Sequence, residues 1–159
     1  MSPDAPGRRP LELVTDAPPS RPPEDFHELC ARFGVELDAD EIERLGRFLA
    51  LLLANDARMN LTAIREEAEG WRKHVFDALT LLAVLDPLED GARVVDLGSG
   101  GGVPGLPLAI ALPRLRFTLV EATAKKAAFL RSTARALGLE NVEVLAERAE
   151  TIGQDRAHR

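Results

Sequence analysis

The sequence predicts an α/β fold in which a parallel sheet follows a run of helices. From residue 92 onward, short apolar segments rich in β-branched residues alternate with segments of helical periodicity. Strands that alternate with helices indicate βαβ units with right-handed crossovers. Before residue 92, apolar residues recur at helical spacing instead. A chain of 159 residues, of which 45% are hydrophobic, can form one domain of this class with a buried core.

The N-terminal part divides into a tail and a group of helices. Residues 1–23 contain seven of the eleven prolines, and we expect a disordered tail because such a segment buries too little apolar surface to offset its ordering entropy. Helices are expected over residues 24–88. A short one precedes Gly34, a second follows a capping box of Asp38 and Glu41, and a third runs from about residue 67 to residue 85.

The C-terminal part, residues 89–159, contains the predicted strands. "RVVDL", "RFTLVEA" and "VEVLAE" are short, apolar and β-branched, which is typical of strands buried in a parallel sheet. "LPLAIAL" and "TAKKAAFLRSTARALG" lie between them and predict helices, the second of which is closed by Gly138.

Composition excludes several classes of protein. No apolar run reaches the roughly 18–20 residues that a membrane span requires, and no basic-then-apolar signal pattern opens the sequence. The single cysteine, Cys30, excludes an internal disulfide framework. We therefore expect a cytoplasmic protein with no membrane partner. The net charge of −6 argues against general coating of nucleic acid but allows a local basic patch.

The stretch "VVDLGSGGGVPGLPLAI", residues 94–110, predicts a ligand site. Glycine adopts positive φ and lets the backbone approach a ligand closely. Between a strand and a helix, such a loop lies at the carboxyl edge of a parallel sheet, where α/β folds bind their ligands. Pro104 and Pro107 fit the first turn of the following helix. The loop glycines are Gly98, Gly100, Gly101 and Gly102.

Two acidic residues indicate which ligand the loop binds. Gly100, Gly102 and Gly105 spell G-x-G-x-x-G, a weak match to dinucleotide sites. Asp96, at the end of the strand, would repel a pyrophosphate but attract an ammonium group by about 1.5–3 kcal/mol. Glu121, at the end of the second strand, can accept both hydroxyls of a ribose. These features favour S-adenosylmethionine over a nicotinamide cofactor. The alternative is that Asp96 caps loop amides and Glu121 is a solvated acid.

The same residues resemble a known family. "VVDLGSGGGVPGLPLAIALP", "FTLVEATAKKAAFLR" and "LGLENVEVLAERAE", with "MNLTAI" and "KHVFDALTLL" upstream, resemble the RsmG family, also called glucose-inhibited division protein B. The likeness runs from about residue 35 to residue 150. The family comprises bacterial 16S rRNA guanine-N7 methyltransferases that use S-adenosylmethionine. The resemblance implies a class I, Rossmann-like methyltransferase fold with a helical N-terminal lead-in.

The resemblance also implies a cofactor site. Gly98 would approach the methionine part, Val103 would pack near the cofactor, and Glu121 would hold the ribose. Ala149 and Glu150 would form the adenine site, with a backbone N–H donating to the ring and a carboxylate accepting from the exocyclic amine. The predicted cofactor-binding residues are Asp96, Gly98, Gly100, Val103, Glu121, Ala149 and Glu150.

No catalytic residue is assigned from the sequence. His74 and Asp77 are three residues apart and share a helix face. A His–Asp pair is typical of a general base, but N7 of guanine has a free lone pair and needs only proximity and alignment to attack a methyl group. We therefore favour a structural role for the pair over substrate contact or proton transfer.

The resemblance implies 16S rRNA in the small ribosomal subunit as partner, a monomeric enzyme and no metal. Because class I methyltransferases have further strands, residues 89–159 are expected to form only the N-terminal half of the domain, with one flank of the first strand unpaired. A cofactor-binding but inactive chain, and a methyltransferase with another substrate, are the alternatives. The candidate RNA-binding cations, which a solvated helix face also explains, are Arg65, Arg72, Lys73, Lys125, Lys126, Arg131 and Arg135.

Overall fold

The computed structural model describes residues 11–154, and within them the sheet has three parallel strands. These are β1 (Arg93–Leu97), β2 (Arg116–Val120) and β3 (Val142–Leu145). Their order in the sheet is β1-β2-β3. All three strands lie where the alternating apolar segments predicted them, and the α/β class with a parallel sheet is confirmed.

Helices lie against one face of this sheet and also form the N-terminal part of the chain. Among the described residues, no helix is both long enough and apolar enough to cross a membrane. The helices are α1 (Phe26–Arg32), α2 (Ala39–Met59), α3 (Glu67–Gly70), a π-helical segment (Trp71–Phe76), α4 (Asp77–Leu79), α5 (Leu82–Leu85), α6 (Gly105–Ala111), α7 (Ala124–Ala136) and α8 (Ala149–Gln154).

Helix α2 begins at the capping box that its sequence predicts. The Asp38 carboxylate accepts the Glu41 N–H, and the Glu41 carboxylate accepts the Asp38 N–H, each at 2.8 Å. This reciprocal pair satisfies amides that the first helical turn would otherwise leave unpaired. The helix ends at Asn60, which has a left-handed φ of 53°. Leu45, Leu49 and other residues of its apolar face are fully buried.

The third predicted helix is divided. The π-helical segment, in which hydrogen bonds join residues five apart, replaces its middle. Trp71 and Phe76, five residues apart, are therefore both buried, whereas an α-helix would turn them to different sides. Trp71 packs edge-on against Phe26 with ring centroids 4.8 Å apart. The packing of these rings was not visible in the helical periodicity of the sequence.

Residues 11–23 differ from the disordered tail expected over residues 1–23. They lie against α2, where Asn55 accepts the Val14 N–H at 2.9 Å and donates to the Val14 carbonyl at 3.0 Å. Ser20 is buried and accepts the indole N–H of Trp71 at 3.0 Å. Hydrogen bonds to buried side chains offset the conformational entropy that residues 11–23 lose when they become ordered. Residues 1–10, the rest of the expected tail, lie outside the described residues.

One face of the sheet is covered, and the other is exposed along β1. The strand order β1-β2-β3 runs in one direction, so right-handed crossovers place both connecting helices on the same face of the sheet. On this face, Gly105 of α6 lies against the Leu119 side chain of β2. On the other side, Val95 and Leu97 are 53% and 60% exposed. Within the described residues β1 is also an edge strand with a single neighbour, as the sequence predicts.

Gly46 provides a direct test of how residues 11–23 are held. A Cβ on this residue would lie 2.3 Å from the Ser20 carbonyl oxygen, so Gly46→Ala displaces the segment from α2. We expect the free energy of unfolding in urea to fall by about 1–3 kcal/mol, as in overpacked cores. Trp71 is the single tryptophan. In the Gly46→Ala variant its indole loses the hydrogen bond to Ser20, so acrylamide should quench its fluorescence more strongly.

Gly153→Ala is the control for this prediction. A Cβ at Gly153 meets nothing within 4 Å, so the substitution leaves both the unfolding free energy and the Trp71 quenching close to those of the unsubstituted chain. Equal quenching in the Gly46 and Gly153 variants would contradict the described packing of residues 11–23.

Candidate functional site

The glycine loop after β1 is anchored to the end of β2. The amides of Gly98 and Ser99 both donate to the Val120 carbonyl, at 2.8 and 3.0 Å. Gly102 requires glycine on two counts: its φ is 89°, and a Cβ would lie 2.5 Å from a methyl carbon of Leu106. The loop is therefore a tight turn at the carboxyl edge of the sheet, as predicted, in which Gly98 is exposed while Ser99 and Gly102 are buried.

Glu121 joins the loop to the second strand. Its side chain is buried, with 7% of the residue exposed. One carboxylate oxygen accepts the Gly100 N–H at 2.8 Å and the other accepts the Thr123 N–H at 3.0 Å. Burial raises the pKa of Glu121, but these amides, the Thr123 hydroxyl and the Lys126 charge lower it by more, so the net pKa lies below its ordinary value. Glu121 is thus a buried carboxylate and not a solvated acid.

Asp96 has the opposite electrostatic environment. Its carboxylate accepts the Gly105 N–H at 3.1 Å, at the start of α6. Burial raises the pKa of Asp96; hydrogen bonds from Gly105 and Ser99 offset part of the rise, and the charge of Glu121 adds to it. Two carboxylates that repel each other at one edge of the sheet make this edge favourable for a cation.

A cavity of about 300 Å³ opens at the carboxyl ends of the strands. This volume is at the lower end of the range for small-molecule sites. Gly98, after β1, lines one side of the cavity, and Ala149 and Glu150, after β3, line the opposite side. Glu121, at the end of the central strand β2, lies between them. The structure therefore brings these four predicted cofactor-binding residues together.

The other predicted cofactor-binding residues lie outside this cavity. Asp96 lines a neighbouring apolar groove of about 340 Å³, together with Val84 and Leu97. Gly100 contributes its N–H to Glu121, and Val103 is half-buried against the core. Asp96 does cap an amide, which is the role that the alternative interpretation gave it.

The sequence analysis missed other residues that line the cavity. Glu147 and Arg148 lie two and three residues after the end of β3 and border the cavity with Ala149. Their position just past a parallel strand was the signal that could have identified them. A larger cavity, of about 890 Å³, lies beside the amino ends of the strands and is lined by none of the predicted cofactor-binding residues.

The predicted His74–Asp77 pair is not a hydrogen-bonded pair. His74 instead contacts Thr62, with 2.6 Å between Nε2 and Oγ1, whereas Asp77 is exposed. Burial lowers the pKa of His74, and the charges of Asp77 and Glu69 offset part of that decrease. Because the segment is π-helical, the α-helical spacing used for the prediction does not apply across residues 71–76.

No group of three or more histidine, cysteine, aspartate or glutamate side chains suited to a metal ion occurs in residues 11–154. A glycine loop after the first parallel strand, with an acid at the end of the second strand beside a cavity, is the arrangement of Rossmann-like folds, a class that includes the class I methyltransferases. The chain belongs to the family described as rRNA small subunit methyltransferase G (GidB), which matches residues 41–158.

Similar proteins carry the same description. The "Ribosomal RNA small subunit methyltransferase G" of Sorangium cellulosum is 57% identical over 154 residues, which are 97% of this chain and 63% of that protein. The protein of the same name from Moorella thermoacetica is 42% identical over 85% of this chain and 58% of its own length. The chain thus spans about 60% of the length of these curated relatives.

Among solved structures, the likeness is distant. A crystal structure of a point mutant of the protein MtNAS matches with a TM-score of 0.44 and 20% identity, over 82% of this chain and 53% of that chain.

Glu121→Gln tests the anchoring of the glycine loop. The amide keeps one acceptor but places an NH₂ group against a backbone N–H, so we expect the free energy of unfolding at pH 7 to fall by about 1–3 kcal/mol. Because the pKa of Glu121 is lowered in the folded chain, its negative charge stabilises the fold at pH values above the ordinary pKa of 4.5. This contribution is lost as the pH falls through the lower folded pKa.

The free energy of unfolding in urea should therefore differ less between Glu121→Gln and the unsubstituted chain as the pH of the measurement is lowered from 7 into the acid range. Glu143→Gln, on the exposed side of β3, is the matched control and should match the unsubstituted chain at pH 7. A Glu121→Gln difference that stays constant with pH would contradict the described environment of the carboxylate.

Proposed function

We propose that the protein binds S-adenosylmethionine at the carboxyl edge of its sheet and transfers the methyl group to N7 of a guanine in 16S rRNA. The observation that carries the proposal is the buried Glu121 carboxylate, fixed to the glycine loop and bordering a cavity that Gly98, Ala149 and Glu150 also line. Membership of the methyltransferase G family supports the reaction and the substrate.

Each part of the cofactor has a chemically suitable partner in this proposal. The Glu121 oxygens retain lone pairs beyond those used by Gly100 and Thr123, and accept the ribose hydroxyls. The Ala149 N–H donates to the adenine ring, and the Glu150 carboxylate accepts from its exocyclic amine. Asp96 attracts the cationic methionine end from its position at the start of α6.

The reaction needs no general base. The N7 lone pair attacks the methyl carbon, the carbon–sulfur bond breaks toward the sulfur, and the positive charge passes from the sulfonium to the guanine. No proton is transferred, so catalysis requires orientation and proximity. This agrees with His74, whose Nε2 is in hydrogen-bond contact with Thr62 and not with an acidic side chain that would activate it.

The cations on α7 are the best-placed candidates for RNA contact. Within residues 11–154, Lys125 and Arg135 are exposed and form no ion pair. By contrast, Arg72 and Lys73 are paired with Asp25 and Glu69. Free cations gain more from neutralising phosphates than paired ones do. We propose that the protein acts on ribosomal RNA in the cytoplasm as a monomer.

A second candidate function is cofactor binding without methyl transfer. It requires only the cavity that Gly98, Glu121 and Ala149 border, which the described residues supply. A methyltransferase with a different substrate would use the same cofactor site. Binding and transfer must therefore be tested separately.

The test has two stages. Calorimetry with S-adenosylhomocysteine should show saturable binding to one site, and NADH should not compete. Incubation with labelled S-adenosylmethionine and unmodified small ribosomal subunits should then label 16S rRNA at guanine N7. Ligand binding without methyl transfer to 16S rRNA would support the inactive alternative. Methyl transfer to a different substrate would support a methyltransferase with another specificity. Lack of binding would contradict the whole proposal.

Asp96→Asn should weaken binding of S-adenosylhomocysteine and flatten its pH dependence. Burial raises the pKa of Asp96 above its ordinary 3.8, so in the unsubstituted chain the carboxylate loses its charge, and affinity falls, at a higher pH than for an exposed aspartate. At pH 7 we expect the variant to bind about tenfold less tightly, a loss of about 1.4 kcal/mol.

Calorimetric titrations between pH 7 and pH 4 check this prediction, with Glu143→Gln as the control. Parallel profiles for Asp96→Asn and the unsubstituted chain would show that Asp96 does not interact with the ligand.

A further inference from the structure

Asp56 is a buried charged residue that the proposed reaction does not use. It lies in the last turn of α2 and is 4% exposed. One of its carboxylate oxygens accepts the amides of Leu61 and Thr62, each at 2.7 Å. The other is paired with the guanidinium of Arg65, which also donates to the Thr62 carbonyl at 2.8 Å. Asp56 therefore holds the whole turn over residues 60–65.

This turn lies directly against the glycine loop. A Cβ on Gly101 would be 3.2 Å from the Leu61 carbonyl oxygen and 2.9 Å from a methyl carbon of Leu52. The backbones of the two loops are thus in contact, with no room for a side chain between them. Gly101 is the point through which residues 60–65 limit the movement of the glycine loop.

The contact is supported from the other side by the π-helical segment. The Thr62 hydroxyl accepts the Ile64 N–H at 3.0 Å and contacts His74 at 2.6 Å. Asp56 on α2 and His74 on the π-helical segment therefore fix the same turn from two elements. A buried carboxylate is costly unless its hydrogen bonds are satisfied, so Asp56 has a strong preference for this one arrangement.

We propose that Asp56 is a positioning residue for the methionine end of the cofactor site. It acts through Leu61 and Gly101, by holding residues 60–65 against the glycine loop so that the backbone from Gly98 to Gly102 keeps the shape that the ligand needs. The adenine end, at Ala149 and Glu150, lies after β3, and neither Gly101 nor any of residues 60–65 lines the cavity there. The inference rests on the proposed cofactor.

Asp56→Asn in the full chain tests the proposal by comparing two ligands. S-adenosylhomocysteine occupies both ends of the site, whereas adenosine occupies only the ribose and adenine end. Calorimetry should show that the variant binds S-adenosylhomocysteine about tenfold less tightly, while its affinity for adenosine changes by less than about twofold. Asp40→Asn, an exposed acid paired with Arg44 on the same helix, is the control and should change neither affinity.

Gly101→Ala tests the same contact from the glycine loop. Its Cβ would lie 2.9 Å from a methyl carbon of Leu52 and 3.2 Å from the Leu61 carbonyl oxygen, and the substitution leaves the Asp56 side chain unchanged. It should therefore give the same selective loss of S-adenosylhomocysteine affinity. This variant keeps the proposal testable if Asp56→Asn does not fold. Equal weakening of both ligands, or weakening of neither, in the folded variants would overturn the positioning role.

Amide hydrogen exchange distinguishes failure of this inference from failure of the proposed cofactor. In the ligand-free chain, Asp56→Asn should speed exchange of the amides from Gly100 to Gly102 while those of β2 keep their protection. If the unsubstituted chain binds neither ligand, the cofactor proposal fails, and exchange still decides whether Asp56 holds the loop. Unchanged loop exchange would overturn the inference on its own.

Discussion

The candidate site depends on one interaction, the hydrogen bond from the Gly100 N–H to the Glu121 carboxylate at 2.8 Å. The bond joins the loop after β1 to the residue that closes β2, and Glu121 is also held by the Thr123 amide. A buried carboxylate with amide donors is charged and fixed in orientation. It therefore fixes Gly100 of the loop to the end of β2 and places a negative charge beside the cavity.

Charge at this edge of the sheet is divided between two acids with different environments. Opposing shifts lower the pKa of Glu121 and raise that of Asp96. Glu121 is satisfied by backbone amides and suits neutral hydroxyl groups, whereas Asp96 is desolvated and gains most from a cation. A nucleoside linked to a cationic amino acid has both kinds of group, which is why we propose S-adenosylmethionine, and not a ligand with a pyrophosphate, for this site.

Local sequence patterns predicted the strands, the capping box of α2 and the glycine loop, because each depends on residues close together in the chain. The contacts that position the site were not predictable in this way. Asn55 binds Val14 across 41 residues, and Trp71 binds Ser20 across 51, so a proline-rich segment became ordered. The His74–Asp77 prediction assumed α-helical geometry, which the π-helical segment does not have. Four of the predicted cofactor residues, Gly98, Glu121, Ala149 and Glu150, came together because parallel strands end at one edge of the sheet. Asp96, near the end of β1, lines the neighbouring groove instead.

The most direct test is a crystal structure of the chain with S-adenosylhomocysteine. The account predicts that the ribose hydroxyls lie within hydrogen-bond distance of Glu121 and that the adenine lies beside Ala149 and Glu150. It also predicts that the methionine part follows the glycine loop toward Asp96, with the Gly100–Glu121 bond retained. A ligand bound elsewhere, for instance in the large cavity beside the amino ends of the strands, or a ribose that contacts neither Glu121 oxygen, would contradict it.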